Sequence, residues 1–277
     1  GAFSISWNLL ASGRNGGENS TRGYRLRSWP VIAGLGATVG MLILGNLGTV
    51  RMIWHGLQRL ASEGAPIEQA DLITRWGWTF EGAARWLSGQ DLPYGDGSWY
   101  WDPSRAVIPS PGNEITEFPA FSFLYGDPHA HVIALPVTLL ALGLAVGVVL
   151  GRWRWTSAGE KRRWLPFAVT IFTGALAVGA LRPMNTWDMP TYLVLLGVAF
   201  VYAAGRYADP VRFFDRLPVW IRRTAVGLGS AALLALLAIV LFLPYAQWYA
   251  QGYNAVDFQS SWRTPVASYL VHWGLPL

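Results

Sequence analysis

Two carboxyl groups and two imidazoles lie in one short run that leads directly into a strongly apolar stretch. The run is Glu117-Phe-Pro-Ala-Phe-Ser-Phe-Leu-Tyr-Gly-Asp-Pro-His-Ala-His131, and these four residues are Glu117, Asp127, His129 and His131. Charged and titratable groups are costly at membrane depth, so a cluster at the mouth of a membrane helix indicates a functional site. The run therefore predicts a site where water meets lipid.

The residue types in this run support two chemistries and one structural alternative. In an extended backbone His129 and His131 would point the same way, because side chains repeat every two residues. Together with Asp127 they could hold a divalent cation such as Mg²⁺ or Mn²⁺. Asp127 or Glu117 could instead act as a base, with His129 orienting it or moving its proton. The alternative is that Asp127 and His131 cap the following helix, with Pro128 in its first turn.

A second polar segment, Arg182-Pro-Met-Asn-Thr-Trp-Asp188-Met-Pro190, lies between two apolar stretches. It is too short to be a domain, so Arg182 and Asp188 must lie close to the membrane surface. Arg182 could clamp a phosphate through its planar guanidinium group, or it could simply pair with Asp188. Both interpretations stay open.

Composition assigns these segments to a membrane protein. The chain has 277 residues, of which 52% are hydrophobic and 13% are charged, whereas soluble domains carry about 25% charged residues. Sixteen Trp residues fit the aromatic belts of membrane proteins. The chain has no Cys, which excludes disulfides and thiolate metal sites. We predict an all-α, multi-pass integral membrane protein.

Apolar stretches and charge give the expected organisation. A membrane helix needs about 20 apolar residues, and we expect about five such helices. They are residues 30–50, 131–150, 165–181, 191–204 and 224–243.

The segments between these stretches differ in charge. Most Lys and Arg residues lie in a basic polar arm (1–29) and in the loops 151–164 and 205–223, which the positive-inside rule makes cytoplasmic. Most acidic residues lie in the long loop 51–130, the short link 182–190 and the tail 244–277, which would face outward. This alternation explains the basic runs better than nucleic-acid binding does.

The long loop contains a predicted helix at residues 66–88. Pro66 and the acidic residues after it are typical of a helix start, and Leu72, Trp76 and Phe80 follow on one helical face. This amphipathic helix could lie in the membrane interface or pack on the protein's own outer part.

Several motifs in the chain resemble one family of membrane proteins. The run 117–131 and Asn185-Thr-Trp-Asp-Met-Pro-Thr-Tyr192 resemble the signatures of the YYY-type (Chlor_Arch_YYY) multi-pass membrane proteins of bacteria and archaea. Trp101-Asp-Pro-Ser-Arg105 and Tyr269-Leu-Val-His-Trp-Gly274 also match that pattern. The tyrosine-rich motif that names the family is absent, and residues 1–100 match little of it.

The resemblance implies a GT-C-like fold and a function. That family is grouped with the GT-C membrane glycosyltransferases, which implies transfer of a sugar from a polyprenyl-phosphate donor on the outer face of the plasma membrane. The implied catalytic residues are Asp127, Glu117, Asp188 and His129. The implied substrate-binding residues are Arg105, Arg182, Asn185 and Trp187. Asp127, His129 and His131 are the implied ligands of a divalent cation.

A non-enzymatic alternative stays open beside the glycosyltransferase. The missing tyrosine motif and the Trp-rich amphipathic helix also fit a structural subunit of a larger membrane complex. The last residues read like the start of another helix, so we expect a segment of a longer protein. Expected partners are membrane lipids, a polyprenyl-phosphate sugar donor, and other subunits or the rest of a longer chain. A transporter is the least favoured class, because charges inside the predicted spans are lacking.

Overall fold

The computed structural model describes most of the chain, with gaps. The described residues are 1–12, 28–40, 45–108, 114–126, 128–151, 164–208, 217–248 and 263–274. Asp127, the centre of the predicted site, lies outside the described residues, as do most of the two predicted cytoplasmic loops.

Helices make up the regular structure of the described residues, and no strand occurs among them. In chain order they are α1 (Ala2–Ser12), α2 (Ser28–Val39), α3 (Gly48–Ala61), α4 (Leu72–Leu87), α5 (Ser98–Trp101), α6 (Pro119–Tyr125), α7 (Ala130–Leu150), α8 (Trp164–Met184), α9 (Asp188–Tyr207), α10 (Val219–Leu241), α11 (Leu243–Trp248) and α12 (Val266–Trp273). A 3₁₀ turn, Asp102–Ser104, follows α5. The all-α prediction is confirmed.

Within the described part of the chain, four helices are long and apolar enough to cross a membrane. They are α7, α8, α9 and α10, each with 20 or more apolar-rich residues. They correspond to four of the five predicted spans. Arg222 and Arg223, predicted to lie in a loop, belong to the first turns of α10, which begins at Val219.

The first predicted span, residues 30–50, differs from the structure. Helix α2 ends at Val39 after 12 residues, and a new helix begins at Gly48. Between them Gly45 has a φ of +58°, a left-handed conformation that favours glycine and interrupts a helix. At about 1.5 Å per residue α2 is too short to cross a bilayer.

The beginning of the predicted polar arm also differs. Residues Ala2–Ser12 form a helix that packs on α7, and the Phe3 ring lies against Gly34 of α2. Residues 13–27 of the arm lie outside the described residues.

The chain divides into two compact units, and the first contains the four long helices. Unit 1 comprises residues 1–38 and 129–255. Its helices pack through small side chains, with Ala141, Ala175, Ala203 and Ala238 buried in the core. Gly227 of α10 lies so close to the backbone of α9 that an added Cβ would meet it. Small residues permit this close approach, which membrane helices use because lipid gives them no hydrophobic driving force to associate.

Unit 2 comprises residues 39–128 and 256–277 and is built around the pair α3 and α4. Gln58 of α3 is fully buried and donates a hydrogen bond to Thr79 of α4, 3.1 Å away. Gly82 of α4 lies against the backbone carbonyl of Leu57, where no side chain would fit.

Helix α4 begins six residues later than predicted. Asp71 caps it by accepting hydrogen bonds from the backbone N–H groups of Ile73 and Thr74, so the acid that suggested an early start is the N-cap itself. The helix packs on α3, yet Leu72, Trp76 and Phe80 of the predicted apolar face stay exposed. Packing on the protein therefore leaves that face available to the membrane or to a partner.

Candidate functional site

The richest group of charged side chains in unit 2 lines a cavity of about 210 Å³ beside α3. Arg51, His55 and Arg59 line it from α3, and Tyr94, Asp102 and Arg105 line it from the segment that follows α4. Four-residue spacing places the three α3 residues on one helical face. Among the described lining residues, three guanidinium groups and an imidazole thus share the cavity with one carboxylate.

Hydrogen bonds to backbone carbonyls fix this cavity. The Arg51 guanidinium donates to the carbonyl of Arg105 at 2.7 Å and to that of Ala106 at 3.2 Å. The Tyr94 hydroxyl donates to the Met52 carbonyl at 2.7 Å and ties the opposite wall to α3. The cationic side chains are therefore held in place before any ligand arrives.

The motif Trp101-Asp-Pro-Ser-Arg105 forms the second wall. Ser104 is fully buried, and its hydroxyl donates to the Trp101 carbonyl at 2.6 Å. The Arg105 guanidinium lies 4.4 Å from the centre of the Trp101 indole, in cation–π geometry, and donates to the Ser104 hydroxyl at 3.2 Å. The motif thus turns Asp102 and Arg105 toward the cavity.

Burial lowers the pKa of His55, and the positive charges of Arg75, Arg51 and Arg59 lower it further, while Glu68 acts in the opposite direction. Burial also lowers the pKa of the Arg51 guanidinium and raises that of the Tyr94 hydroxyl. His55 therefore favours its neutral form in a cavity whose fixed charge is positive.

We expect His55 to make stability depend on pH. Its pKa in the folded protein lies below the unfolded value of 6.5, so the unfolded state binds more protons as pH falls below about 6.5. The contribution of His55 to the free energy of unfolding should therefore be fully present above pH 6.5. It should be lost as the pH falls through the folded-state pKa. The measurement is the thermal unfolding midpoint in detergent at pH 7.5 and 5.5. The midpoint should fall less between pH 7.5 and pH 5.5 in His55→Gln than in the wild type. An equal fall in both proteins would show that His55 is not the source of the pH dependence.

Glu117 and Arg105, two of the predicted site residues, both belong to unit 2. Glu117 lies just before α6 and is half-buried, and it accepts a hydrogen bond from the Ser122 hydroxyl at 3.4 Å. That long contact orients the carboxylate only weakly.

Asn185, Trp187 and Asp188 form the junction between α8 and α9 in unit 1. The Asn185 side-chain amide donates to the Asp188 carboxylate at 3.0 Å, and the Asp188 backbone N–H donates to the Asn185 carbonyl at 3.0 Å. Asp188 begins α9, where the helix dipole favours a negative charge, and Trp187 is exposed beside it. Arg182 lies in the last turn of α8, and the partner that the structure gives Asp188 is Asn185.

His129 and His131 lie at the start of α7. Their ring centres are 5.8 Å apart, and the ring planes are inclined by 64°. His129 is the N-cap position without a side-chain capping bond, and His131 lies inside the helix, so the prediction that His131 caps this helix is wrong. No group of three or more His, Cys, Asp or Glu ligands occurs among the described residues, which leave out Asp127.

The predicted site residues thus fall into two units. The sequence did not predict most of the cavity lined by Arg51, His55, Arg59 and Arg105, which we call the cationic cavity. Only Arg105 of its charged residues had been singled out. The signal was present in the sequence as Arg51, His55 and Arg59 at intervals of four. It was missed because the first predicted span ended at residue 50 and the next helix was expected at residue 66.

Comparison with known proteins gives a family and no closer relative. The family model described as "Uncharacterized membrane protein (DUF2298)" matches residues 1–277. No curated protein matches the chain, and no solved structure matches it. The expected membership in a family of multi-pass membrane proteins is confirmed at that level, and the kinship with GT-C enzymes stays a prediction. With its four candidate spans, the chain belongs to the uncharacterized membrane protein family DUF2298.

Proposed function

We propose that this membrane protein is a glycosyltransferase of the GT-C type that moves a sugar from a polyprenyl-phosphate donor on the outer face of the plasma membrane. The observation that carries the proposal is the Asn185–Asp188 pair. It is a carboxylate oriented by an amide at the junction of two candidate membrane-spanning helices. A fixed carboxylate at that depth suits an acceptor hydroxyl approaching a lipid-linked donor.

In the proposed reaction, the acceptor hydroxyl loses its proton and its oxygen attacks the anomeric carbon of the sugar. The bond from that carbon to the lipid phosphate breaks, and the phosphate leaves with the electron pair. Asp127 or Glu117 accepts the proton, with His129 orienting the base. Asp188 orients the acceptor, and Asn185 and Trp187 contact the sugar.

Arg182 and a cation would neutralise the leaving phosphate. Arg182 at the end of α8 would bind it through its planar guanidinium group. Asp127, His129 and His131 would hold the divalent cation, which would supply Lewis-acid charge.

The distribution of charge supports an outward-facing site. The segments 152–163 and 205–223, at the connections from α7 to α8 and from α9 to α10, are basic, and the α8–α9 junction lies at the opposite end of these helices. By the positive-inside rule the basic loops are cytoplasmic, so Asp188 would lie on the outer side.

We expect Asp188→Asn to lower sugar transfer by about a hundredfold or more, the range of a lost acid–base or orienting group. The measurement is transfer from a polyprenyl-phosphate sugar by the purified protein in lipid nanodiscs. Asp96→Asn is the matched control, because Asp96 is an exposed loop carboxylate. Unchanged transfer in Asp188→Asn, with the control also active, would remove this residue from the mechanism.

A second candidate function rests on a separate observation. The exposed apolar face of α4, where Ile73 is 85% and Leu87 is 84% exposed, favours a structural subunit of a larger membrane complex. A photoreactive amino acid in place of Phe80 would test this second function in intact membranes. A stoichiometric crosslink to another protein would support the role as a structural subunit.

A further inference from the structure

We propose that the cavity lined by Arg51, His55, Arg59 and Arg105 is a binding site for a phosphate group carried by a lipid head group or by a soluble phosphoester. The proposal concerns binding alone. It holds whether or not the protein transfers a sugar, because every residue that carries it lies in unit 2.

The charge of the cavity selects an anion. Three guanidinium groups face it, and Asp102 is the one carboxylate among the described residues of its lining. Among the described residues the ion pairs within 4 Å all involve Arg85, so the cavity arginines have no carboxylate partner there. An unneutralised group of arginines that is partly shielded from water attracts a multiply charged anion strongly.

The donors of the cavity match the oxygen atoms of a phosphate. Arg51 uses two of its five N–H groups on the carbonyls of Arg105 and Ala106, and this fixes the direction of the others. The Arg105 guanidinium is held over the Trp101 ring. Such fixed forks bind phosphate oxygens through two parallel hydrogen bonds, which are about twice as strong as neutral ones.

The position of the arginines on the helix supports the same ligand. Arg51, His55 and Arg59 are spaced by four residues, so one face of α3 presents two guanidinium groups with an imidazole between them. The opposite wall adds the Arg105 guanidinium. Neutral His55 supplies one N–H donor, and a bound anion would favour its protonation.

The first arm of the test uses inorganic phosphate, titrated by isothermal calorimetry into the purified full chain in detergent. We expect saturable binding that weakens about tenfold or more in Arg59→Gln and in Arg105→Gln, as expected for a lost charge-assisted hydrogen bond. Arg59 is exposed, so its replacement should leave folding intact, which circular dichroism would verify. Arg85→Gln is the control in the same unit, because Arg85 pairs with Glu63 and Glu81 outside the cavity.

The second arm identifies the source of the phosphate. Native mass spectrometry would compare dioleoyl phosphatidic acid with dioleoylglycerol, which differ only in the phosphate group. Retention of phosphatidic acid that depends on Arg59 and Arg105 supports a lipid head group. Arginine-dependent binding of inorganic phosphate without preferred retention of phosphatidic acid supports a soluble phosphoester.

Two results would overturn the proposal. One is the absence of saturable binding of either probe to the wild type, and the other is equal binding to the wild type, Arg59→Gln and Arg105→Gln. Asp188→Asn should bind phosphate like the wild type, so loss of sugar transfer and loss of phosphate binding are separate outcomes.

Discussion

Gly82→Ala is expected to loosen the packing of α4 on α3 and to destabilise unit 2 by about 3 kcal/mol, the upper part of the usual range for overpacking. An added Cβ at Gly82 would collide with the carbonyl group of Leu57. That group is backbone inside a helix, so it cannot rotate away as a flexible side chain would. The two helices must move apart, and the hydrogen bond from Gln58 to Thr79 should lengthen.

The same helix provides a matched control for this change. Gly77 of α4 has nothing within 4 Å of an added Cβ. Gly77→Ala should therefore stabilise α4 by up to about 1 kcal/mol, the difference in helix propensity between the two residues. Hydrogen exchange of peptides from 48–61 and 72–87 measures both effects. Equal protection in Gly82→Ala and Gly77→Ala would contradict the close approach.

Asn46→Leu is expected to cost about 2–4 kcal/mol, because it leaves two buried backbone groups without their partners. Asn46 is 2% exposed, donates to the Pro103 carbonyl at 3.0 Å, and accepts from the Gly48 N–H at 2.8 Å. It thus holds the start of α3 against the turn that contains Asp102. Its loss should free both walls of the cationic cavity.

The control for this substitution is Asn8→Leu, at an exposed position of α1 where the amide donates to Ser4 of the same helix. Surface changes of this kind usually alter stability by less than about 0.5 kcal/mol. We expect the thermal unfolding midpoint to fall in Asn46→Leu and to change little in Asn8→Leu. Faster hydrogen exchange at 46–61 and 101–108 would localise the effect. Normal protection there would show that the two hydrogen bonds contribute little.

Hydropathy predicted the long helices well and their ends less well. The predicted span 131–150 is nearly α7, whereas 191–204 falls short of α9, which begins at Asp188. A hydropathy pattern ends at the first charged residue. The helix continues to Asp188 because an acid is favourable at the positive end of its dipole.

The amphipathic helix shows what pattern alone leaves open. Leu72, Trp76 and Phe80 do share one face of α4, yet that face is exposed, and the buried contact is made at Gly82. Glycine contributes nothing to an apolar pattern. Gly82 instead permits the backbones of α3 and α4 to approach closely, a contact that exists only when the two helices pack together.

The two candidate sites also differ in whether their contacts are local or join distant parts of the chain. Asn185 and Asp188 are three residues apart at a helix start, so their hydrogen bond is local, although the sequence had suggested Arg182 as the partner of Asp188. The cationic cavity joins α3 with residues 94–108 through hydrogen bonds between groups more than 40 residues apart. Local pattern carries no information about such pairs.

By itself the sequence determined that this chain is an all-helical membrane protein and where its long apolar helices lie. Those properties follow from hydrophobic composition and length, which are sums over neighbouring residues. Only the tertiary structure decided that the predicted first span is interrupted at Gly45, that α4 leaves its apolar face exposed, and that Arg51, His55, Arg59 and Arg105 share one cavity. These depend on backbone conformation and on contacts between distant segments, which are settled when the helices pack.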